Sequence, residues 1–271
     1  MPELPEVETT RRGLEPHLVG RRIRGVVVRN RNLRWPVPRD LARHLEGEEV
    51  RSIRRRGKYL LFDCRTGHLL VHLGMSGRLT IVPETQPALK HDHVDVRFEG
   101  NKAMRLTDPR RFGAVLWLAA PAERHALLAG LGLEPLDAAF TGVALHALAR
   151  GRKVAVKTFL MNSRIVTGVG NIYAAEALFR ARVHPLTCAG RVSAARWKRI
   201  ARAVRATLER AVEKGGTTLR DFASADGAPG YFLAECAVYG REGKPCPKCR
   251  APVRAIRQAQ RSTFYCPACQ R

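Results

Sequence analysis

The chain has 271 residues, with 48 lysines and arginines against 24 aspartates and glutamates, for a formal net charge of +24. No segment approaches the roughly 20 consecutive apolar residues that a membrane-spanning helix needs, which argues against a membrane protein. The positive charge favours a polyanion such as nucleic acid as partner, because basic side chains that neutralise phosphates release counterions. A basic surface that serves only solubility is the alternative.

The N-terminal segment is acidic and polar, unlike a signal peptide or an arginine-rich transit peptide, and this predicts a cytoplasmic protein. A helix is predicted from Pro5 to Leu18, with glutamates in its first turn. Removal of Met1 would expose the secondary amine of Pro2, which can attack an electrophilic carbon and form an iminium. Glu3 could then act as acid or base, although a chemically inert terminus would have the same sequence.

Short runs of β-branched and apolar residues follow, separated by turns, and they predict an antiparallel sandwich or barrel. The runs are Ile23–Val28, Tyr59–Phe62, Leu69–Leu73, Leu79–Val82, Val94–Phe98 and Ala114–Leu118. From about Pro135 the pattern becomes helical. Ser193 is placed to cap an amphipathic helix whose apolar face is formed by Trp197, Ile200, Val204, Leu208 and Ala211.

Two Cys-x-x-Cys pairs lie at the C-terminus with sixteen residues between them, and they comprise Cys246, Cys249, Cys266 and Cys269. This spacing predicts one tetrahedral Zn²⁺ site. Four thiolates leave the metal no open position, so its role is structural. A redox function would not explain two copies of the motif. The segment Val253 to Tyr265 is predicted to form a β-hairpin with Arg261 near its tip, facing either a nucleic-acid backbone or solvent.

Several motifs resemble one family, in order and over essentially the whole chain. They are Pro2-Glu3-Leu4-Pro5-Glu6-Val7-Glu8-Thr9, Gly57-Lys58-Tyr59-Leu60-Leu61, His72-Leu73-Gly74-Met75-Ser76-Gly77, Lys90-His91-Asp92-His93, Thr107-Asp108-Pro109-Arg110-Arg111-Phe112-Gly113, Gly168-Val169-Gly170-Asn171-Ile172-Tyr173-Ala174 and the zinc tail. The sequence thus resembles the bacterial formamidopyrimidine-DNA glycosylases, also called 8-oxoguanine DNA glycosylases.

The resemblance implies an α+β multidomain fold. We expect an N-terminal β-sandwich domain with a leading helix at residues 1–132 and a linker at 133–150. A helix–two-turn–helix domain is expected at 151–235 and a four-cysteine zinc finger with a β-hairpin at 236–271. The segment Thr217 to Tyr231 resembles the mobile loop that covers an extruded purine in this family, although a plain linker would have similar composition.

The resemblance also implies catalytic roles. Pro2 would displace the damaged base at C1′ of the deoxyribose, and Glu3 would donate a proton during sugar ring opening. Lys58 matches the family lysine assigned to proton donation in β-elimination, and Arg261 matches the hairpin arginine assigned to δ-elimination. Without the resemblance, Lys58 would be one more cation in a basic run.

The same resemblance implies DNA contacts. Met75, Arg110 and Phe112 match the residues that fill the gap left by an extruded nucleotide, and their neighbouring glycines favour exposed loops over core positions. The other matched positions are His91, Arg110, Arg152, Lys157 and Asn171, of which Arg152 stands where the family often has a lysine. Asn171 and the preceding glycines would bind phosphate at a helix start, although a plain helix junction has the same pattern.

We therefore predict a bifunctional DNA glycosylase/AP lyase for oxidised purines in double-stranded DNA. The protein would be a bacterial, nucleoid-associated monomer with no membrane and no obligate protein partner. One alternative is an endonuclease VIII-type enzyme for oxidised pyrimidines, but Leu4 and the Val-Glu-Thr that follows Glu6 favour the purine branch. The other is a non-catalytic zinc-bearing nucleic-acid-binding protein, which would not explain the joint match of Pro2, Glu3, Lys58 and Arg261.

Overall fold

The computed structural model describes residues 2–119, 121–217 and 232–271. These residues form two compact units. The first contains the described residues up to 129 together with 214–217 and 232–233, and the second contains 130–213 and 234–271. All of the predicted mobile segment except Thr217 lies outside the described residues.

The first unit begins with helix α1 (Leu4–Leu18) and continues almost entirely as β-structure. Its strands are β1 (Ile23–Val28), β2 (Ser52–Arg56), β3 (Tyr59–Asp63), β4 (Gly67–His72), β5 (Arg78–Pro83), β6 (Asp92–Phe98), β7 (Lys102–Thr107) and β8 (Ala114–Ala119). Short helices α2 (Leu41–Leu45) and α3 (Ala126–Ala129) complete it.

The strands form two four-stranded antiparallel sheets, in the orders β1-β6-β7-β5 and β2-β3-β4-β8. One apolar core joins them. It takes Val96 and Leu106 from the first sheet, Phe62 and Val71 from the second and Leu14 from α1, all at most 2% exposed. The predicted sandwich with a leading helix is therefore confirmed.

Five of the six predicted runs lie wholly within a strand, and the sixth, Leu69–Leu73, extends one residue beyond β4, but β2 and β7 were not predicted. Strand β2 reads Ser-Ile-Arg-Arg-Arg, and three consecutive arginines conceal its alternation. In β7, Arg105 is only 2% exposed, and its Nε and Nη2 donate to the two carboxylate oxygens of Asp95 at 2.9 and 2.8 Å. A buried ion pair of this kind places a charged residue where a sequence pattern requires an apolar one.

The second unit contains helices α4 (Gly142–Ala149), α5 (Val156–Leu160), α6 (Asn171–Ala181) and α7 (Ala194–Glu213). Helix α4, which lies within the predicted linker, packs closely on α7, because a Cβ on Gly142 would lie 2.4 Å from Cα of Lys198. Ser193 precedes α7, where its Oγ accepts from the Arg196 N–H at 3.4 Å. Trp197 and Leu208 on its predicted apolar face are fully buried.

Strands β9 (Arg254–Gln258) and β10 (Arg261–Tyr265) form the predicted C-terminal hairpin. Its turn consists of Ala259 and Gln260, both with positive φ, as a tight two-residue connection requires. None of the helices in the described ranges has the length and apolar character needed to cross a membrane.

Candidate active site and nucleic-acid interface

The first candidate residues lie at the start of α1. Pro2 is buried, and Glu3 is 1% exposed and is the N-cap residue of the helix. The Glu3 main-chain N–H donates to Oε2 of Glu6 at 2.8 Å, while Oε1 of Glu6 accepts from the N–H and the hydroxyl of Thr217 at 2.8 and 2.9 Å. The positive end of the helix dipole favours a carboxylate and disfavours an ammonium group here. The Glu3 backbone is thus held in place at the start of α1.

Contacts along α1 show where its N-terminus points. The Arg55 Nε donates to Glu8 at 3.3 Å, and the Arg11 Nη1 donates to the Ile53 carbonyl at 3.2 Å. Helix α1 therefore runs antiparallel to β2, and its start is directed towards the turn that follows Arg55. That turn carries Lys58, so Pro2, Glu3 and Lys58 belong to one end of the first unit.

Glu8 balances the basic residues beside the helix. Burial by itself would raise its pKa, but hydrogen bonds from Arg11 and Arg12 and the charges of Arg11 and Arg55 outweigh burial and lower the Glu8 pKa below its ordinary value. Glu8 therefore remains a carboxylate at neutral pH and holds the arginines of α1 and β2 against the helix.

Lys58 occupies the two-residue turn between β2 and β3 together with Gly57, whose φ is +59°. It lies near His72, the last residue of β4. Burial first, and then the positive charges of Lys58 and Arg34, lower the His72 pKa to about 4. Since the Nδ1 of a neutral His72 accepts the Gly74 N–H at 3.1 Å, this imidazole links the lysine turn to the loop after β4.

Strand register places the predicted DNA-contacting loops at this same end. Tyr59 pairs with His72, and His72 pairs with Ala114, so residues 73–77 and 108–113 leave the second sheet beside the Lys58 turn. In the other sheet Thr107 pairs with Arg78 and Asp92, which brings the loop containing His91 to the same edge. We call residues 73–77 and 108–113 the wedge loops.

The wedge loops present the side chains that the sequence predicted. Arg110 and Phe112 are exposed, Phe112 by 40%, and the Arg110 guanidinium carbon lies 4.9 Å from the Phe112 ring centroid. Met75 is half-buried. An exposed phenyl ring stacked with a guanidinium can enter a base stack and bond to a base edge, so these residues suit the predicted insertion.

The second unit carries the remaining candidates. Lys157, predicted as a residue near the lesion, is 2% exposed, and its Nζ donates to Asn171 Oδ1 at 2.5 Å and to Thr263 Oγ1 at 2.7 Å. Asn171 is the first residue of α6, and its Nδ2 donates to the Ser262 carbonyl at 3.0 Å. Lys157 therefore connects the helix start to the hairpin from inside the unit.

Arg152 and Arg261 are exposed, and both line a cavity of about 420 Å³ between α5 and the hairpin. Arg261 begins β10, opposite Gln258, whose Nε2 donates to the Thr158 hydroxyl at 3.2 Å. The hairpin is thereby tied to α5, which fixes the base of Arg261 while its side chain remains accessible. Lys157 lines the same cavity, and three cations around one cavity suit a phosphate ligand.

The four predicted zinc ligands lie together. The sulfur atoms of Cys246, Cys249, Cys266 and Cys269 are all within 4.8 Å of one another. The Cys246–Cys269 and Cys249–Cys266 sulfur separations are 4.0 and 3.4 Å. Zinc–sulfur bonds near 2.3 Å in a tetrahedron place sulfurs roughly 3.8 Å apart. The residues therefore fit one structural Zn²⁺, which would connect both ends of the hairpin.

Three buried carboxylates that organise these sites were not predicted as site residues. Besides Glu6, they are Asp108, between the wedge loops, and Glu176 of α6, both 0% exposed. Glu176 accepts the N–H groups of residues 237, 238 and 239 at 2.9–3.0 Å, which attaches the zinc module to α6. The scarcity of acidic residues in so basic a chain could have drawn attention to these three, because a carboxylate is seldom buried unless hydrogen-bond donors surround it.

A β-sandwich with Pro2 and Glu3 buried at a helix start, and a helical unit with a four-cysteine hairpin, fit a DNA-binding enzyme with a structural zinc site. Family models match residues 1–115 as the formamidopyrimidine-DNA glycosylase N-terminal domain, 131–223 as the H2TH domain and 243–271 as a zinc finger found in FPG and IleRS. The chain belongs to the formamidopyrimidine-DNA glycosylase family.

Individual relatives agree. The chain is 57% identical to a formamidopyrimidine-DNA glycosylase of Methylococcus capsulatus over 100% of both chains. Its structure is similar to that of the Fpg protein of Thermus thermophilus, with a TM-score of 0.89 and 40% identity over 99% and 98% of the chains. It is also similar to the structure of a Lactococcus lactis Fpg mutant in complex with Fapy-dG-containing DNA, with a TM-score of 0.93 and 30% identity over 100% of both chains. The predicted family, fold class, enzyme class and structural zinc are confirmed.

Proposed function

We propose that this chain is a bifunctional DNA glycosylase/AP lyase that excises oxidised purines, chiefly 8-oxoguanine and formamidopyrimidines, from double-stranded DNA. One observation carries the proposal: Pro2 and Glu3 are buried at a helix start that is directed towards Lys58. The relatives are named for the same activity, and the related Lactococcus protein is bound to DNA that contains an opened purine.

The chemistry begins at the nitrogen of Pro2, which must be a free secondary amine, since a peptide bond to Met1 would make it unreactive. The amine bonds to C1′ of the damaged nucleotide as the bond from C1′ to the base breaks. Glu3, as a carboxylate, takes the proton that the Pro2 nitrogen loses after attack and donates it to the sugar ring oxygen as the ring opens, leaving an iminium between Pro2 and C1′. A buried carboxylate at the positive end of α1 can exchange this proton without leaving its place.

The iminium makes the C2′ proton acidic, so the 3′ phosphate leaves by β-elimination and the 5′ phosphate follows by δ-elimination. We assign proton donation in the first elimination to Lys58 and assistance in the second to Arg261. Lys58 suits the first role because it lies in a short turn at the same end as Pro2. Arg261 suits the second because the zinc site and Gln258 hold its hairpin.

DNA binding would use both units. Met75, Arg110 and Phe112 would replace the extruded nucleotide, with His91 at the adjacent edge, and Arg152 and Asn171 would bind phosphate. The buried Lys157 would act by holding Asn171 and the hairpin. We retain residues 1–132, 133–150, 151–235 and 236–271 as proposed domain and linker boundaries. The protein would act as a cytoplasmic, nucleoid-associated monomer without a protein partner.

Borohydride trapping tests the proposal. The protein is mixed with duplexes that carry 8-oxoguanine opposite cytosine, an oxidised thymine or no lesion, and the reaction is reduced with borohydride. We expect a covalent adduct and β,δ-elimination products with 8-oxoguanine. The Pro2→Gly variant has a primary amine in place of the pyrrolidine nitrogen, so it should form much less adduct but should still bind the duplex, because Arg110, Arg152 and Asn171 are unchanged.

The outcomes separate the alternatives. An adduct only with the oxidised thymine would support an endonuclease VIII-type activity instead. Binding without an adduct or cleavage on any duplex would contradict both enzymatic proposals and leave the non-catalytic binding protein. Glu3→Gln serves as the matched variant, since it keeps the size of the buried side chain but cannot supply the proton.

A further inference from the structure

The buried carboxylate of Asp108 joins the two wedge loops. Asp108 is 0% exposed. Its Oδ1 accepts the Ser76 hydroxyl at 2.7 Å, and its Oδ2 accepts the Gly113 N–H at 2.8 Å. Ser76 follows Met75 in one wedge loop and Gly113 follows Phe112 in the other, so one side chain bonds beside both inserting residues.

Ser76 continues the connection. Its Oγ, while donating to Asp108, accepts the Arg110 N–H at 3.1 Å. Ser76 is itself 3% exposed, so these bonds are shielded from water. The Asp108 carbonyl accepts the Arg111 N–H at 3.1 Å and a bond from His93 Nε2 at 2.9 Å, which ties the same residue to β6. Each of the three wedge residues is thus adjacent to a group held directly or indirectly by Asp108.

The backbones of the two loops are also in close contact. Gly74 has a φ of +62°, and a Cβ there would lie 2.4 Å from the Phe112 carbonyl carbon. A Cβ on Gly113 would lie 2.8 Å from the His72 carbonyl oxygen. The loops can approach in this way only with glycine at both positions, and the approach brings the Asp108 carboxylate within reach of both loops.

We infer that Asp108, acting through Ser76, is a positioning residue that holds Met75, Arg110 and Phe112 as one preformed wedge for nucleotide extrusion. The inference rests on the proposed function. Extrusion costs a few kcal/mol of stacking and pairing. A wedge whose loops are already ordered loses less conformational entropy on insertion than two independent loops would lose. The role therefore concerns the extrusion step and not the chemistry at Pro2.

The test compares two substrates in the same full-length protein, using Ser76→Ala and Asp108→Asn. One duplex carries 8-oxoguanine opposite cytosine and the other a preformed abasic site, which has no base to extrude. We expect single-turnover excision of 8-oxoguanine to slow by about tenfold, as the loss of one buried charge-assisted hydrogen bond implies. Cleavage and borohydride trapping at the abasic site should change less than about threefold, since they require no base extrusion.

A matched control is Ser52→Ala. Ser52 also donates to a carboxylate, Asp63, at 2.6 Å, but it lies at the end of the β2–β3 hairpin opposite Lys58. Both rates should be unchanged in this variant. A double-mutant cycle with Phe112→Ala adds a readout that general destabilisation would not give: removing Ser76 should slow excision less when the Phe112 ring is already absent than it does in the wild-type protein.

The results distinguish the inference from the proposed function. If the wild-type protein excises 8-oxoguanine, three results would each overturn the inference and leave the proposed function intact. They are normal excision by Ser76→Ala and Asp108→Asn, equal slowing of these variants on both substrates, and additive effects of Ser76→Ala and Phe112→Ala. A wild-type protein that neither excises the base nor forms an adduct would overturn both. A variant slowed only on the 8-oxoguanine duplex, and not additively with Phe112→Ala, supports the inference.

Discussion

The two units organise their exposed basic residues with buried charges of opposite sign. In the first unit the carboxylate of Asp108 accepts hydrogen bonds from a hydroxyl and an N–H group of the wedge loops. In the second unit the ammonium group of Lys157 donates hydrogen bonds to oxygen atoms of α6 and the hairpin. Both side chains are at most 2% exposed, and both lie behind residues that face solvent.

A charged residue in a DNA-binding motif can also act by ordering the groups around it. Lys157 matches a family position near the lesion, yet it is as buried as a core residue. A buried charge is costly unless its hydrogen bonds are satisfied, so it orders the groups that surround it. Among the described residues, the second unit has a metal-ligand cluster in addition to such hydrogen bonds, so the two units should respond differently to metal removal.

Removal of zinc should have the largest effect and should be confined to the second unit. A structural Zn²⁺ contributes on the order of 10 kcal/mol to the folding of small zinc modules. Chelation or Cys266→Ser should release the hairpin, abolish δ-elimination and leave helix α1 and the sandwich folded. Hydrogen exchange measured for each unit, with metal content by mass spectrometry, checks this. Cys188→Ser is the control, and loss of protection in the sandwich would contradict this prediction.

Replacement of Lys157 should have the next largest effect. Lys157→Met leaves Asn171 Oδ1 and Thr263 Oγ1 without their buried donor, and hydrogen bonds to charged groups contribute about 2 kcal/mol. We expect the free energy of unfolding of the second unit to fall by that amount and DNA affinity to fall with it. Urea denaturation and binding titrations measure the two effects. Lys153→Met, which removes an exposed lysine nearby, is the control for stability. If Lys157→Met reduced DNA affinity without any loss of stability, Lys157 would contact DNA directly.

The stability of the first unit should depend on pH through His72. Burial first, then the charges of Lys58 and Arg34, lower its pKa to about 4. In the unfolded chain the pKa of His72 is near its ordinary value of about 6.5. As the pH falls from about 6.5 to about 4, the unfolded chain therefore binds a proton at His72 that the folded chain does not. Stability should be lost over that range by up to about 1.4 kcal/mol per pH unit. His72→Gln should reduce this slope in chemical denaturation, whereas His146→Gln, in the second unit, should not.

The smallest effect should come from Arg152. If this exposed side chain binds one phosphate, Arg152→Ala should reduce the slope of log affinity against log salt concentration by about one. Arg152→Lys keeps the charge, so the slope should be restored even if the affinity changes by about twofold through lost bidentate geometry. Binding titrations at several salt concentrations give both values. An unchanged slope in the alanine variant would remove Arg152 from the proposed interface.

The sequence predicted the features that local pattern or motif determines. Strand β1, the capped helix α7 and the four-cysteine cluster follow from alternation, a capping serine and ligand spacing. The arginine-rich β2 and the buried Arg105 of β7 were missed, because their stability depends on partners distant in sequence, such as Asp95. The roles of Asp108 and Glu176 were missed for the same physical reason: a carboxylate is recognisable as a positioning residue only when the donors around it are known.

Peptide mapping of the trapped complex identifies the nucleophile, which we propose to be Pro2. The borohydride-reduced adduct with 8-oxoguanine-containing DNA is digested and analysed by tandem mass spectrometry. We expect Met1 to be absent and the sugar remnant to be attached to the nitrogen of Pro2. A remnant on Lys58 or another lysine, or an adduct on a chain that retains Met1, would contradict this proposal.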